Sequence, residues 1–145
     1  MTATDTITAT DTITATDTIT ATDAADSLYD AFAAADGATL STLLGETRWV
    51  EAAGMPDGGT HHGLAEIVDK VFGPIGRDVA GFTAVPDEII AIGHDRVLAI
   101  GTYRGTGDAG PLEVRFAHLM TVADDGTISD FEQFADSHQF RRALG

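Results

Sequence analysis

Three polar side chains on otherwise apolar strand faces are the residues of this chain best suited to chemistry: Tyr103, His118 and Gln133. Residues 111–137, PLEVRFAHLMTVADDGTISDFEQFADS, form two long strands joined by a tight turn at Asp124-Asp125-Gly126. Side chains alternate along a strand, so Val114, Phe116, His118, Met120 and Val122 share one face, with Glu113, Arg115, Ala117, Leu119 and Thr121 on the other. On the second strand Ser129, Phe131, Gln133 and Ala135 face together, opposite Ile128, Asp130, Glu132, Phe134 and Asp136. Tyr103, sharing a face with Gly101 one strand earlier, can point the same way. A slip of one residue would bring Arg115 and Glu132 inside as unpaired ions, so the stated register is favoured. A lone histidine on an apolar face is more often a core residue held by one hydrogen bond. Three convergent polar groups in an apolar pocket suit a small-molecule site better. An ordinary imidazole titrates near neutrality and serves as acid or base, whereas burial disfavours its charged form, so His118 is expected to be neutral with a depressed pKa.

The elements that must position these residues follow from periodicity. Residues 2–23 repeat TATDTI; three isoleucines build no core and the aspartates keep the stretch solvated, so 1–23 is expected to be a disordered tail and 24–145 the domain. Asp23 or Asp26 can cap a helix carrying Leu28, Phe32 and Ala35, stopped at Gly37. Thr39–Leu44 makes a short second helix, and Arg48–Ala53 a strand followed by the loop GMPDGGTHHG. A third helix places Leu64, Ile67, Val68, Val71 and Phe72 on one face and ends at Gly73-Pro74. Strands follow over 79–92, interrupted by Pro86, and over Arg96–Arg104. The order α-α-β-α-β-β-β-β predicts an α+β domain with helices on one side of a curved antiparallel sheet.

Composition narrows the partners. Eight basic against 23 acidic residues give a formal charge of −15, which repels nucleic acid and favours solubility. With no cysteine there is no disulfide, thiol nucleophile or zinc-thiolate site. No apolar run approaches the roughly 20 residues of a membrane span. The N-terminal stretch has neither the basic region nor the apolar core of a secretory signal, so a cytoplasmic protein is expected.

Three further motifs carry less than their letters suggest. Gly105–Gly110, GTGDAG, matches a dinucleotide fingerprint but runs into Pro111 and a strand instead of opening a helix, so it is a hairpin loop. His61-His62 lacks a further ligand at suitable spacing, and no metal is expected. Asp136, Ser137 and His138 hold the letters of a hydrolase triad without the strained elbow that exposes a nucleophile.

The segments LYDAFAAAD, RWVEAAGMP, THHGLAEIVDKVF and FAHLMTVADDGTISDFEQFADS, in this order, resemble the SnoaL-like, ketosteroid-isomerase-related branch of the nuclear transport factor 2-like superfamily over residues 24–145. The resemblance implies a cone: a bent sheet wrapped around N-terminal helices, enclosing a pocket, often dimerising through its outer face. It aligns Ala52 with the isomerases' carboxylate base and Leu28 with their tyrosine donor, Tyr29 being one residue off. His118 falls where they place a protonated aspartic acid. Gln133 stands where related cyclases and epoxide hydrolases place a catalytic carboxylate, and Gly101 and Tyr103 where the hydrolases have arginine and aspartate. The function expected is a cofactor-independent isomerase, cyclase or dehydratase acting on a small carbonyl compound. His118 would move the proton, and Tyr103 and Gln133 would bind an enolate oxygen. Trp49, Phe116, Phe131, Leu28, Phe32 and Met120 are candidate ligand contacts, Trp49 only if the first strand's register is shifted by one. A non-catalytic binding protein and a dimeric interaction module are the alternatives.

Overall fold

The computed structural model describes residues 20–145, so most of the expected tail lies outside the described residues. The first helix, α1 (Ala21–Ala34), begins inside the last repeat. Its cap is Thr20, whose hydroxyl accepts from the Asp23 N–H while the Asp23 carboxylate accepts from the Thr20 N–H. This reciprocal box replaces the expected caps Asp23 and Asp26 because it satisfies two end donors at once. The helix α2 (Gly37–Leu44) is capped by Asp36.

Among the described residues, six strands form one curved, unclosed sheet in the order β2-β1-β6-β5-β4-β3. They are β1 (Arg48–Glu51), β2 (Gly59–His62), β3 (Ala80–Ile92), β4 (Arg96–Gly107), β5 (Gly110–Val122) and β6 (Ile128–Ala135). All pairings are antiparallel except that of β1 with β6. Register breaks in β3 at Ala80/Thr83 and Pro86/Glu88 bend the long strands, as extra residues on one side of a ladder do. Where the chain crosses at Gly101, a Cβ would stand 2.6 Å from Pro86 Cα, so only glycine admits this approach. The helices α3 (Gly63–Ile67) and α4 (Gly73–Asp78) are joined by a π-helical turn at Val68–Phe72. No helix among the described residues is long and apolar enough to cross a membrane.

Four expectations are corrected. Gly73-Pro74 does not end the third helix: proline lacks an N–H and crowds the carbonyl four residues earlier, and the wide π turn just before it lets the helix continue. Residues 59–62, expected as loop, pair with β1 as an edge strand. The C-terminus forms α5 (Ser137–Leu144), with Asp136 accepting from the Gln139 N–H as its cap; that is the role of Asp136 in the triad-like letters. Finally, a bulge between Thr121 and Val122 sets Ile128 opposite Val122 and buries it, so Ile128 joins the inner face and Ser129 is displaced. The β5 alternation itself is as expected, with Val114, Phe116, His118, Met120 and Val122 all buried.

Candidate functional site

The concave face of the sheet and the helices enclose a cavity of about 450 Å³. Its walls are apolar: Phe32 and Ala33 from α1, Leu40 from α2, Trp49 from β1, Val71 and Phe72 from the π turn, Phe82 and Ala84 from β3. Three ionisable side chains also line it: Glu51, Tyr103 and His118.

β1 sets the first of these. Trp49 and Glu51, two residues apart, both point inward and are buried, whereas Arg48 is exposed. The Trp49 ring stacks on Phe131 at 3.7 Å between centroids, and its indole N–H donates to Glu51 Oε1 at 2.8 Å. The inward carboxylate is thus Glu51, one residue before the position that resemblance assigned to Ala52. Burial pushes its pKa from the ordinary 4.5 up to about 7; the Trp49 hydrogen bond and the charge of His61 pull the other way and are outweighed. A carboxylate was overlooked here because a four-residue strand shows too little alternation to set its register. The available signal was Trp49, whose burial carries the residue two positions on with it.

The second cluster spans α1, β4, β5 and β6. The Tyr29 hydroxyl lies 2.6 Å from His118 Nδ1, and the Tyr103 hydroxyl 2.6 Å from His118 Nε2. Gln133 Nε2 donates to the Tyr103 oxygen at 3.2 Å, and Gln133 Oε1 accepts from the Ala52 N–H at 3.0 Å. Pairing across the sheet accounts for part of this: His118 lies opposite both Ala99 on β4 and Gln133 on β6. Burial lowers His118 to about 3, so the imidazole is neutral, and burial raises both tyrosines, which stay protonated. No buried side-chain polar atom among the described residues lacks a partner.

The structure brings Tyr103, His118 and Gln133 together, Gln133 behind the cavity wall rather than in it. Of the ligand contacts expected, Trp49 and Phe32 line the cavity. Leu28, Phe116, Phe131 and Met120 are buried but sit in the core behind it; Phe116 and Phe131 pack on His118, at 4.1 and 4.6 Å between ring centroids. Tyr29, not Leu28, is the α1 residue that reaches the polar cluster, because a helix turns adjacent side chains about 100° apart. His61 instead lies with a ring nitrogen 3.1 Å from the Asp57 carbonyl oxygen, and among the described residues no three potential ligands group around a metal position.

A chemically competent arrangement results: one carboxylate with a pKa near neutrality and one hydroxyl, facing a shared apolar cavity. A SnoaL-like domain profile matches residues 25–131. A nuclear transport factor 2-like protein from Burkholderia thailandensis E264 is similar at 32% identity over 88% of this chain and 98% of that one, with a TM-score of 0.79. TerC, crystallised with polyporic acid, is 28% identical over 84% of this chain and 95% of that one, with a TM-score of 0.74. A Catenulispora acidiphila protein with a ketosteroid isomerase-like fold, in complex with trimethylamine, shares the fold at 16% identity, over 77% of this chain and 84% of that one, with a TM-score of 0.64. No curated protein matches the chain. The matched profile covers the part of α1 that carries Tyr29 and the strands that carry Glu51, Tyr103 and His118, and the chain accordingly belongs to the SnoaL-like domain family, with a nuclear transport factor 2-like fold.

Proposed function

We propose that the chain is an enzyme that moves a proton at carbon next to the carbonyl of a small, largely apolar substrate, an isomerase or cyclase by reaction class. The observation that carries this reading is the presence of Glu51 and Tyr103 on one apolar cavity. Glu51 is the base: with a pKa of about 7 it is substantially ionised at neutrality yet holds a proton more tightly than an ordinary carboxylate. Tyr103 is the donor that meets the carbonyl oxygen. As Glu51 takes the α-proton, the C–H electrons form the enolate, whose oxygen charge the Tyr103 hydroxyl stabilises; Glu51 then returns the proton to another carbon, or the enolate carbon attacks a second carbonyl of the substrate, whose π electrons become an alkoxide that takes the proton back from Glu51. His118 holds Tyr103 through Nε2 and takes a supporting part in place of the direct proton transfer expected of it. The crystal of TerC with polyporic acid supports a small-molecule pocket in this kind of chain.

Small apolar ketones incubated with the protein in D2O test the reading by proton NMR. Loss of α-proton signal is expected with the native chain and not with Glu51→Gln. Equal exchange by both chains would refute Glu51 as the base. Ketones that bind without exchanging would favour a binding protein.

The protein is further proposed to be a homodimer through the outer sheet face. Ile90, Ile92 and Phe134 are 41%, 40% and 42% exposed there, beside the half-buried Ala117, Leu119 and Thr121. Contiguous exposed apolar side chains of this kind mark interfaces. Light scattering that gives a monomer mass at micromolar concentration would refute it.

A further inference from the structure

The Tyr29–His118–Tyr103 cluster has a direction, and the backbone sets it. The Ala52 N–H is a fixed donor, so the Gln133 atom facing it at 3.0 Å must be the amide oxygen. The other end of that amide is therefore NH2, and the Tyr103 oxygen 3.2 Å away accepts from it. Tyr29 is constrained differently. It is 6% exposed, does not line the cavity, and its hydroxyl meets His118 Nδ1 alone among the described residues. Were Nδ1 the protonated nitrogen, the Tyr29 oxygen would accept and its own proton would be buried with no acceptor, which folded proteins avoid. Tyr103 is under no such constraint, since it faces the cavity and its proton can go there.

We infer that the cluster is a one-way donor chain, Tyr29 O–H to Nδ1 of His118, Nε2–H of His118 to the Tyr103 oxygen, and Tyr103 O–H into the cavity, with Tyr29 as the positioning residue that fixes the histidine tautomer. The Tyr103 oxygen accepts twice, from His118 and Gln133, which polarises its O–H toward the ligand. At Tyr103 the site therefore recognises an acceptor oxygen, a ketone carbonyl or its enolate, and not a donor. That consequence rests on the proton-transfer reading above; the tautomer does not.

Long-range proton–nitrogen NMR of the protein carrying 15N-histidine reads the tautomer directly. The native chain is expected to show His118 as the neutral Nε2–H form. Tyr29→Phe removes the hydrogen bond to Nδ1 that favours the Nε2–H form, so the share of the Nδ1–H form is expected to rise above that of the native chain, short of an equal mixture because that form would bury an N–H without an acceptor. Tyr103→Phe should leave the Nε2–H form in place. A Tyr29 with a merely structural role would lower the melting temperature and leave the tautomer unchanged. An Nδ1–H form in the native chain, or an unaltered tautomer in a folded Tyr29→Phe protein, would overturn the inference; if that variant does not fold, the native spectrum decides. An Nε2–H form together with α-proton exchange that survives Glu51→Gln would leave the chain standing and remove the proposed function.

Discussion

Replacing Glu51 by glutamine should make the protein more stable while disabling it. Glu51 is 4% exposed, and burial raises its carboxyl from the ordinary 4.5 to about 7. A raised folded pKa means that the folded chain binds a proton more tightly than the unfolded one. Stability is then greatest below pH 4.5, falls as pH rises toward 7, and is flat above, where both states are ionised. Each tenfold difference in proton affinity is worth about 1.4 kcal/mol, so the ionised side chain costs about 3 kcal/mol at pH 8. Glutamine keeps the shape and can still accept from the Trp49 indole through its oxygen, but carries no charge to desolvate. Urea unfolding of both chains between pH 4.5 and 8.5 measures the difference. It should be near zero at the acid end and reach about 3 kcal/mol in favour of Glu51→Gln at pH 8. Equal stabilities at pH 8, or a less stable variant, would show that the carboxylate is solvated or paired in the folded protein and would undo the argument for a buried base.

Other outcomes follow from the same geometry. Tyr103→Phe should lower turnover by about 10²–10³-fold, the loss found when one oxyanion donor is removed, and should also lower the melting temperature, because His118 and the buried Gln133 amide lose their acceptor. Turnover should rise with pH along a single ionisation near 7, as Glu51 becomes the free base, and a flat profile between pH 5 and 9 would remove it from that role. Thr20→Ala removes the hydroxyl that accepts from the Asp23 N–H, one half of the capping box, and should cost about 1 kcal/mol in thermal or urea unfolding. Gly101→Ala places a methyl group against the Val85 carbonyl and the Phe116 ring and should cost about 1–3 kcal/mol, read in the same way.

Legibility in the sequence tracked strand length and how fully each face is sorted. β5 has thirteen residues with one face buried throughout, and its alternation placed His118 inside without ambiguity. β1 has four, RWVE, and a glutamate is taken for a surface residue unless something forces it in. What forces it in is Trp49, stacked on Phe131 across a parallel pairing that local periodicity does not reveal. The same holds for β2: GTHH has no apolar pattern and is a strand only because β1 offers it an edge. The inner position of Ile128 needed the bulge, a single extra residue that no hydrophobic pattern marks in advance. Tyr29 was missed by one helical step, since α1 presents a broad buried stripe, and which neighbour meets His118 depends on the helix's rotation over the sheet.

Trp49 is the only tryptophan in the chain. The residue is 3% exposed, and its ring forms a wall of the cavity and donates its N–H to Glu51. Any intrinsic fluorescence excited at the red edge of protein absorption therefore originates at one point, in contact with the candidate base. Emission from this chain is a built-in optical gauge: it should be blue-shifted in the folded state, change along a titration curve centred near pH 7 as the neighbouring carboxyl loses its proton, and respond to any molecule entering the cavity. Screening for ligands accordingly requires neither label nor coupled assay, because the wall of the pocket already carries its own lamp.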